Sequence, residues 1–319
     1  MSLVSKLELP YFTEFGESVN YDNETFTMTT SSTWNGISLD IIGATSGQVK
    51  GDFLVVKKTE TNQELYVYVK YTDNNESQKH FTDPKITTCA LTLDPTKNIK
   101  EVQLKNPAAG TITFTDLYVT SSKQSVTLNS DGTNGWATFA AASPVSFANQ
   151  DDVQVNIVTK EGSVLRKEKV ASKEVPAGSA VLLYYEGLTS GTSVNVPVLN
   201  AAAAALDEKN VLRSSGAEGL EVTEAKHYYI LGNGTSGVGF YPVQTKTKIA
   251  AYKGYIEFDT IGTAPKFLWF DEETTAIDAL NNESETPNDG AVYDLSGRKV
   301  NGQLHRGIYV QNGKKFIVK

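Results

Sequence analysis

The chain has 319 residues, a net charge of −8, a single cysteine and three histidines. The acidic balance argues against a nucleic-acid protein, which needs a basic surface to displace counterions, and against general attraction to anionic membranes. Cys89 alone permits no disulfide within the chain, no stretch reaches the roughly 18 apolar residues of a membrane-spanning helix, and the length predicts about two domains able to bury cores without staples.

The first domain is predicted over residues 8–121. Its candidate strands are TFTMTT, ISLDII, DFLVVKK, ELYVYVKY, TTCALTL, KEVQL and TITFTDLYVT, separated by the turn chemistry of WNG, TSGQ, TETNQ, DPTKN and NPAAG. So many short strands in this length predict an antiparallel β-sandwich of the jelly-roll kind. Cys89, Leu91 and Leu93 share one face of their strand, and Cys89 reads as a small buried hydrophobe. The last strand changes parity: Ile112 and Phe114 lie on one face, Leu117 and Val119 on the other. A bulge near Thr115–Asp116 would let both pairs reach the core.

A polar join leads to a second all-β module, residues 125–274, of the sandwich or barrel type. SAVLLYY is continuously apolar, as expected of a strand covered on both faces. In VPAG, Pro176 suits the second position of a type I turn and Gly178 the fourth. NAAAAALDEKNVL, residues 200–212, reads either as a short helix or as a small-residue loop. Residues 275–290 form an acidic linker, in which Asp278, Glu283, Glu285, Asp289 and Pro287 leave little to bury. Beyond it, residues 291–319 are predicted to fold as a small unit with a hairpin, because Asn312-Gly313 supplies the two positive-φ residues of a type I′ turn. Ser296-Gly297 marks a second tight turn.

Candidate binding residues follow from strand periodicity. In LYVYVKY, Leu65, Val67, Val69 and Tyr71 alternate with Tyr66, Tyr68 and Lys70. If the aliphatic set faces the core, two tyrosines and a lysine line the other face, where a sugar's C–H face and hydroxyl rim would find both stacking and hydrogen bonds. The competing reading is that the rings only strengthen cross-strand pairs. Trp34 sits beside an Asn-Gly turn, either as a stacking platform or as a core plug. Trp136 and Trp269 fall in stretches that read as buried strands. His80, in ESQKHFTDP, reads as a loop residue able to touch a ligand.

Catalytic and metal signatures are weak. His80, His227 and His305 have no zinc-type spacing, so no metal ligands are assigned. No G-x-S-x-G elbow occurs. Carboxylate pairs such as Asp151-Asp152 are what an acid-rich chain produces by chance. The chain is therefore read as a non-enzyme that needs no cofactor. A structural calcium held by Glu17, Asp22 or Asp116 stays open beside the reading of these as solvated acids.

Three resemblances add to this. Tyr293, Asp294, Leu295, Gly297, Arg298, Gly307, Ile308, Tyr309, Gly313, Lys314 and Lys315 match the pattern of the C-terminal sorting signal of Bacteroidetes secreted proteins. That resemblance implies export by the type IX (Por) machinery and a secreted or outer-membrane surface location. GWATF (135–139), VPAGSAVLLYYEG (175–187), YYILGNG (228–234) and GFYPV (239–243) resemble a β module that precedes such tails in Bacteroidetes surface proteins. GDFLVVKKTE, ELYVYVKY and the closing IKEVQL…GTITFTDLYV resemble a galactose-binding-like or carbohydrate-binding β-sandwich. The expectation is an all-β, exported protein whose first domain binds a glycan through Trp34, Tyr66, Tyr68, Lys70 and His80. The alternative is a structural or adhesive surface protein, a spacer or a partner for other surface proteins.

Overall fold

Period-two alternation of apolar and polar residues, cut by Gly, Asn and Asp, makes strands the dominant element of the described residues. The computed structural model describes residues 4–44, 48–161, 164–259, 265–270, 292–294, 299–300, 307–311 and 314–318. Two compact units are present, Met1–Phe270 and Asp271–Lys319.

The first part of the larger unit is a β-sandwich. Its strands are β1 (Val4–Lys6), β2 (Thr13–Phe15), β3 (Val19–Asp22), β4 (Thr27–Thr30), β5 (Asn35–Asp40), β6 (Phe53–Lys58), β7 (Leu65–Tyr71), β8 (Glu76–Phe81), β9 (Thr88–Thr92), β10 (Ile99–Asn106) and β11 (Gly110–Thr120). One sheet runs β3-β4-β11-β6-β9, with β1 also on β11, and the other runs β2-β5-β10-β7-β8. Between them lie Met28, Ile37, Leu54, Val67, Val69, Cys89, Leu104 and Phe114, all buried. The parity change in β11 is resolved by a register shift between Phe114 and Asp116. Ile112, Phe114, Leu117 and Val119 consequently all enter this core. Strands β1, β2, β3 and β8 have no counterpart among the sequence-predicted strands. The first three are short, and β8 is an edge strand that buries only Phe81, so its polar sequence carries little strand signal.

The second part of the same unit contains β12 (Lys123–Ser130), β13 (Gly135–Ala140), β14 (Val145–Ser146), β15 (Val153–Glu161), β16 (Val164–Lys169), β17 (Glu174–Val175), β18 (Ala180–Tyr185), β19 (Thr192–Pro197), β20 (Arg213–Ser214), β21 (Leu220–Glu221), β22 (Lys226–Gly234), β23 (Gly237–Pro242), β24 (Lys248–Ile249), β25 (Gly254–Asp259) and β26 (Leu268–Phe270). An eleven-stranded sheet runs β19-β12-β13-β18-β15-β16-β26-β23-β22-β25-β20. It curls into a half-barrel, so that β25 returns over β13 and β18. A Cβ on Gly254 would lie 3.1 Å from Thr138 and 3.3 Å from Ala180, a close approach that glycine permits. Strand β18 is covered on both faces: Val181 and Leu183 enter one core, Ala180 and Leu182 the other.

Two local expectations are settled here. The turn after β17 is framed one residue later than predicted. The Ser179 amide donates to the Pro176 carbonyl at 3.1 Å, and Gly178 takes the third position with φ +76°, as a type II turn requires. Residues 200–212 form no helix. Asn210 pins this segment instead, donating to the Ala180 carbonyl at 2.8 Å and accepting from the Val158 amide at 3.1 Å.

Sandwich and half-barrel are joined by more than their linker. The outward side chains Phe53, Val55 and Tyr118 of the first sheet pack with Leu199 in a separate buried cluster. Thr88 donates to the carboxylate of Glu174, both buried. Lys79 pairs with Asp151 and Lys123 with Asp52, each at 2.6 Å.

The smaller unit holds a four-stranded sheet, β28-β27-β29-β30, of β27 (Val292–Asp294), β28 (Lys299–Val300), β29 (Gly307–Gln311) and β30 (Lys314–Val318). Gln311 pairs with Lys314, so β29 and β30 form an antiparallel pair; the Asn312-Gly313 turn expected between them lies outside the described residues. Tyr293, Asp294, Gly307, Ile308, Tyr309, Lys314 and Lys315 lie in these strands. Leu295, Gly297, Arg298 and Gly313 lie outside the described residues, as do residues 275–290.

Candidate functional site on the outer face of the five-stranded sheet

The side chains of β7 that point away from the core meet their neighbours in rows across the sheet. The register places Phe15, Gly36, Lys105, Tyr66 and His80 side by side. The next row is Thr13, Ser38, Gln103, Tyr68 and Gln78, and beyond it come Asp40, Glu101, Lys70 and Glu76. Four strand spacings make the first row about 19 Å wide. Aromatic, amide and charged positions thus follow one another along the strands.

Trp34 closes the aromatic end. It precedes β5 with φ +64° and its amide donates to the Asn106 carbonyl at 2.9 Å. Its ring is 50% exposed, with its centroid 5.6 Å from Tyr66 and 5.8 Å from His80. It stands exposed at the rim of the sheet and is not a core plug. His80 lies in the edge strand β8 rather than in a loop, and its Nε2 is 2.7 Å from Glu64 Oε2. The structure therefore gathers Trp34, Tyr66 and His80 into one cluster and sets Tyr68 in the adjoining row. Lys70, four residues from Tyr66 and so about 13 Å along the strand, stands apart between Glu76 and Glu101.

Hydrogen bonds fix these side chains. Tyr66 donates to Gln78 and Tyr68 to Glu76. Burial first, and then the bond to Glu76, pushes the Tyr68 hydroxyl up to about 12. Burial likewise raises Tyr66. Both phenols stay protonated donors at neutral pH. Glu101 Oε1 accepts from Ser38 at 2.9 Å and from Gln103 at 2.7 Å. Phe15, Lys105, Gln103, Glu101, Gln78, Glu76 and Glu64 join the face without having been singled out in the sequence. Apart from Glu64, which immediately precedes β7, they lie on β2, β8 and β10, and only the sheet order makes them neighbours of Tyr66 and Tyr68.

Other features are less suited to holding a ligand. A cleft of about 450 Å³ is lined by Gln124, Phe139 and Tyr252. Its Gln124 amide is already used, donating to Ala140 at 3.0 Å and accepting from Ala142 at 3.1 Å. Trp136 is half-buried and stacks on Phe270 at 5.5 Å. Trp269 departs from the buried reading: it is 44% exposed, beside Phe267, which in turn lies 4.7 Å from Tyr241. Among the described residues no group of three His, Cys, Asp or Glu side chains could hold a metal ion. Asp22 spends its carboxylate on Glu24 and Thr25, and Asp116 accepts from the Leu117 amide at 3.0 Å.

No family model matches this chain, and no curated protein does. Among solved structures, the CBM22-1–GH10 modules of Clostridium thermocellum endo-1,4-beta-D-xylanase 10B, complexed with xylohexaose, are similar at a TM-score of 0.24 and 13% identity, over 36% of this chain and 27% of that one. The match spans about a quarter of that structure's length.

Proposed function

We propose that the outer face of the five-stranded sheet binds a glycan chain without cleaving it, in a protein exported to the surface of a Bacteroidetes cell. The observation that carries the binding reading is the cluster of Trp34, Tyr66 and His80 on a solvent-facing sheet, with amides and carboxylates filling the rows beside it. A pyranose ring presents an apolar face and a rim of hydroxyls. Aromatic rings suit the first; Gln78, Gln103, Glu76 and Glu101 supply the donors and acceptors for the second. A spacer would have its rings inside a core, whereas Tyr66 and Tyr68 are only half-buried and Trp34 is open.

The same arrangement favours recognition over hydrolysis. A glycosidase needs two carboxyls flanking the scissile bond, one of them poised as an acid. Here Glu76 and Glu101 sit on an open face and accept hydrogen bonds from Tyr68, Ser38 and Gln103. Calorimetric titration with a panel of soluble polysaccharides tests the reading. Binding in the high-micromolar to millimolar range, about −4 to −6 kcal/mol, with no release of reducing ends, is the expected result. Failure to bind any glycan, or turnover abolished by Glu76→Gln, would overturn it.

The export part rests on Tyr293-Asp294 in one strand, Gly307-Ile308-Tyr309 in the next and Lys314-Lys315 opening the hairpin return. Removing residues 291–319 is expected to leave the larger unit folded and to hold the protein inside the native cell. Normal surface delivery of the shortened chain would refute this part alone. The adhesive alternative draws on a different feature, the exposed Trp269 beside the half-buried Phe267 and Tyr241, and so makes a different tryptophan matter.

A further inference from the structure

Lys105 occupies the middle of the aromatic row. Its ammonium lies 5.3 Å from the ring centres of Phe15 and Tyr68 and 5.8 Å from that of Tyr66. Ring faces attract a cation and hold it in place, but they do not cancel its charge. Three carboxylates of this face are engaged by other groups: Glu101 by Ser38 and Gln103, Glu76 by Tyr68, Glu64 by His80. Among the described residues no ion pair involves Lys105. On one flank its cross-strand neighbour is Gly36. A Cβ there would strike the Leu104 carbonyl at 2.0 Å, so no side chain at that position covers the ammonium.

From this geometry we infer that the glycan bound here carries an anionic substituent, a uronate carboxylate or a sulfate ester, seated on Lys105. The inference rests on the glycan-binding reading of the same face and adds the ligand's charge. An ammonium presented by three rings is pre-organised for a charge-assisted hydrogen bond. The acidic row does not override it. Glu101 is four residues along β10, about 13 Å away in backbone terms, and among the described residues no ion pair joins the acidic row to Lys105. Lys70, the other lysine of the face, stands directly opposite both Glu76 and Glu101 in the register, whereas Lys105 stands opposite Gly36 and Tyr66.

The test is a matched pair of polymers that differ only in charge: polygalacturonate against its full methyl ester, with dextran sulfate against dextran as a second arm. Wild type, Lys105→Met and Lys105→Arg are compared by affinity electrophoresis at low and moderate salt, after thermal melting confirms folding. Roughly tenfold tighter binding of at least one charged polymer is expected. That preference should shrink with salt, vanish in Lys105→Met and persist in Lys105→Arg. A preference confined to one arm identifies carboxylate or sulfate as the group. Equal retention of charged and uncharged forms by the wild type, or a preference unaltered by Lys105→Met, overturns the inference. If binding remains and depends on Trp34, the glycan reading survives that failure; retention of no polymer at all, here or in the wider panel, defeats both.

Discussion

Trp34 combines an exposed ring with a left-handed backbone, φ +64°, a conformation that is strained for a bulky side chain. Strain of this kind costs on the order of 1–3 kcal/mol and collects where a side chain must be presented. Trp34→Gly should therefore abolish polysaccharide retention while leaving the melting temperature within about 2 °C of wild type, since relief of strain offsets glycine's extra freedom in the unfolded chain. A large fall in melting temperature would mean that the ring is structural. Tyr68 has a second signature. Its folded-state value of about 12 lies above the unfolded value near 10, so the stability it contributes is complete below about pH 10 and is lost as pH rises toward 12. Urea midpoints measured from pH 9 to 12 should decline less in Tyr68→Phe than in wild type. At this level the sequence was informative only where neighbours share a strand. Alternation in LYVYVKY exposes Tyr66 and Tyr68, but Lys105, Phe15 and Gln103 become their neighbours through a strand order that periodicity does not encode.

Strand β11 illustrates what an apolar pattern can disclose and what it leaves open. Its change of parity pointed to a bulge at Thr115–Asp116, and the register shift lies there. Deleting Leu117, which lies beyond the bulge, would move Tyr118–Thr120 by one position, turning Tyr118 into the core and Val119 out of it. That deletion is expected to cost more than about 4 kcal/mol, within the range of severe core disruption, and to give a chain without a cooperative melt. Thr115→Ala, which keeps the count, should stay within about 1 kcal/mol. Near-normal melting of the Leu117 deletion would show that the core does not fix the facing of the strand beyond the bulge. Strand β8 was illegible for the opposite reason. With β7 on one side only and Phe81 as its single buried residue, it has no apolar alternation to detect, and His80 consequently read as a loop residue. The turn at Pro176–Ser179 was placed one residue early because VPAG fits two frames, and only the positive φ of Gly178 distinguishes them.

The larger unit behaves as one body because the sandwich shares buried surface with the half-barrel. Phe53, Val55, Tyr118 and Leu199 pack together, and Thr88 meets Glu174 in the same junction. A chain ending at Phe270 should unfold in a single calorimetric transition. Leu199→Ala should lower its stability by about 2–5 kcal/mol, the usual cost of a buried leucine truncation. Two well-separated transitions in that shortened chain would contradict this coupling. Composition revealed the all-β class, but nothing in the sequence marks the junction: Leu199 only precedes the alanine-rich stretch, and Glu174 is one acid among many. The unit thus presents two exposed tryptophans on different surfaces, Trp34 on the sandwich and Trp269 on the half-barrel. Affinity electrophoresis through gels containing the retained polysaccharide, run with Trp34→Ala and Trp269→Ala side by side, decides between them. Loss of retention in Trp34→Ala by about tenfold, an aromatic-anchor effect, with Trp269→Ala unchanged, is the expected result. Loss in Trp269→Ala with Trp34→Ala unchanged would place binding on the half-barrel and contradict the site described here.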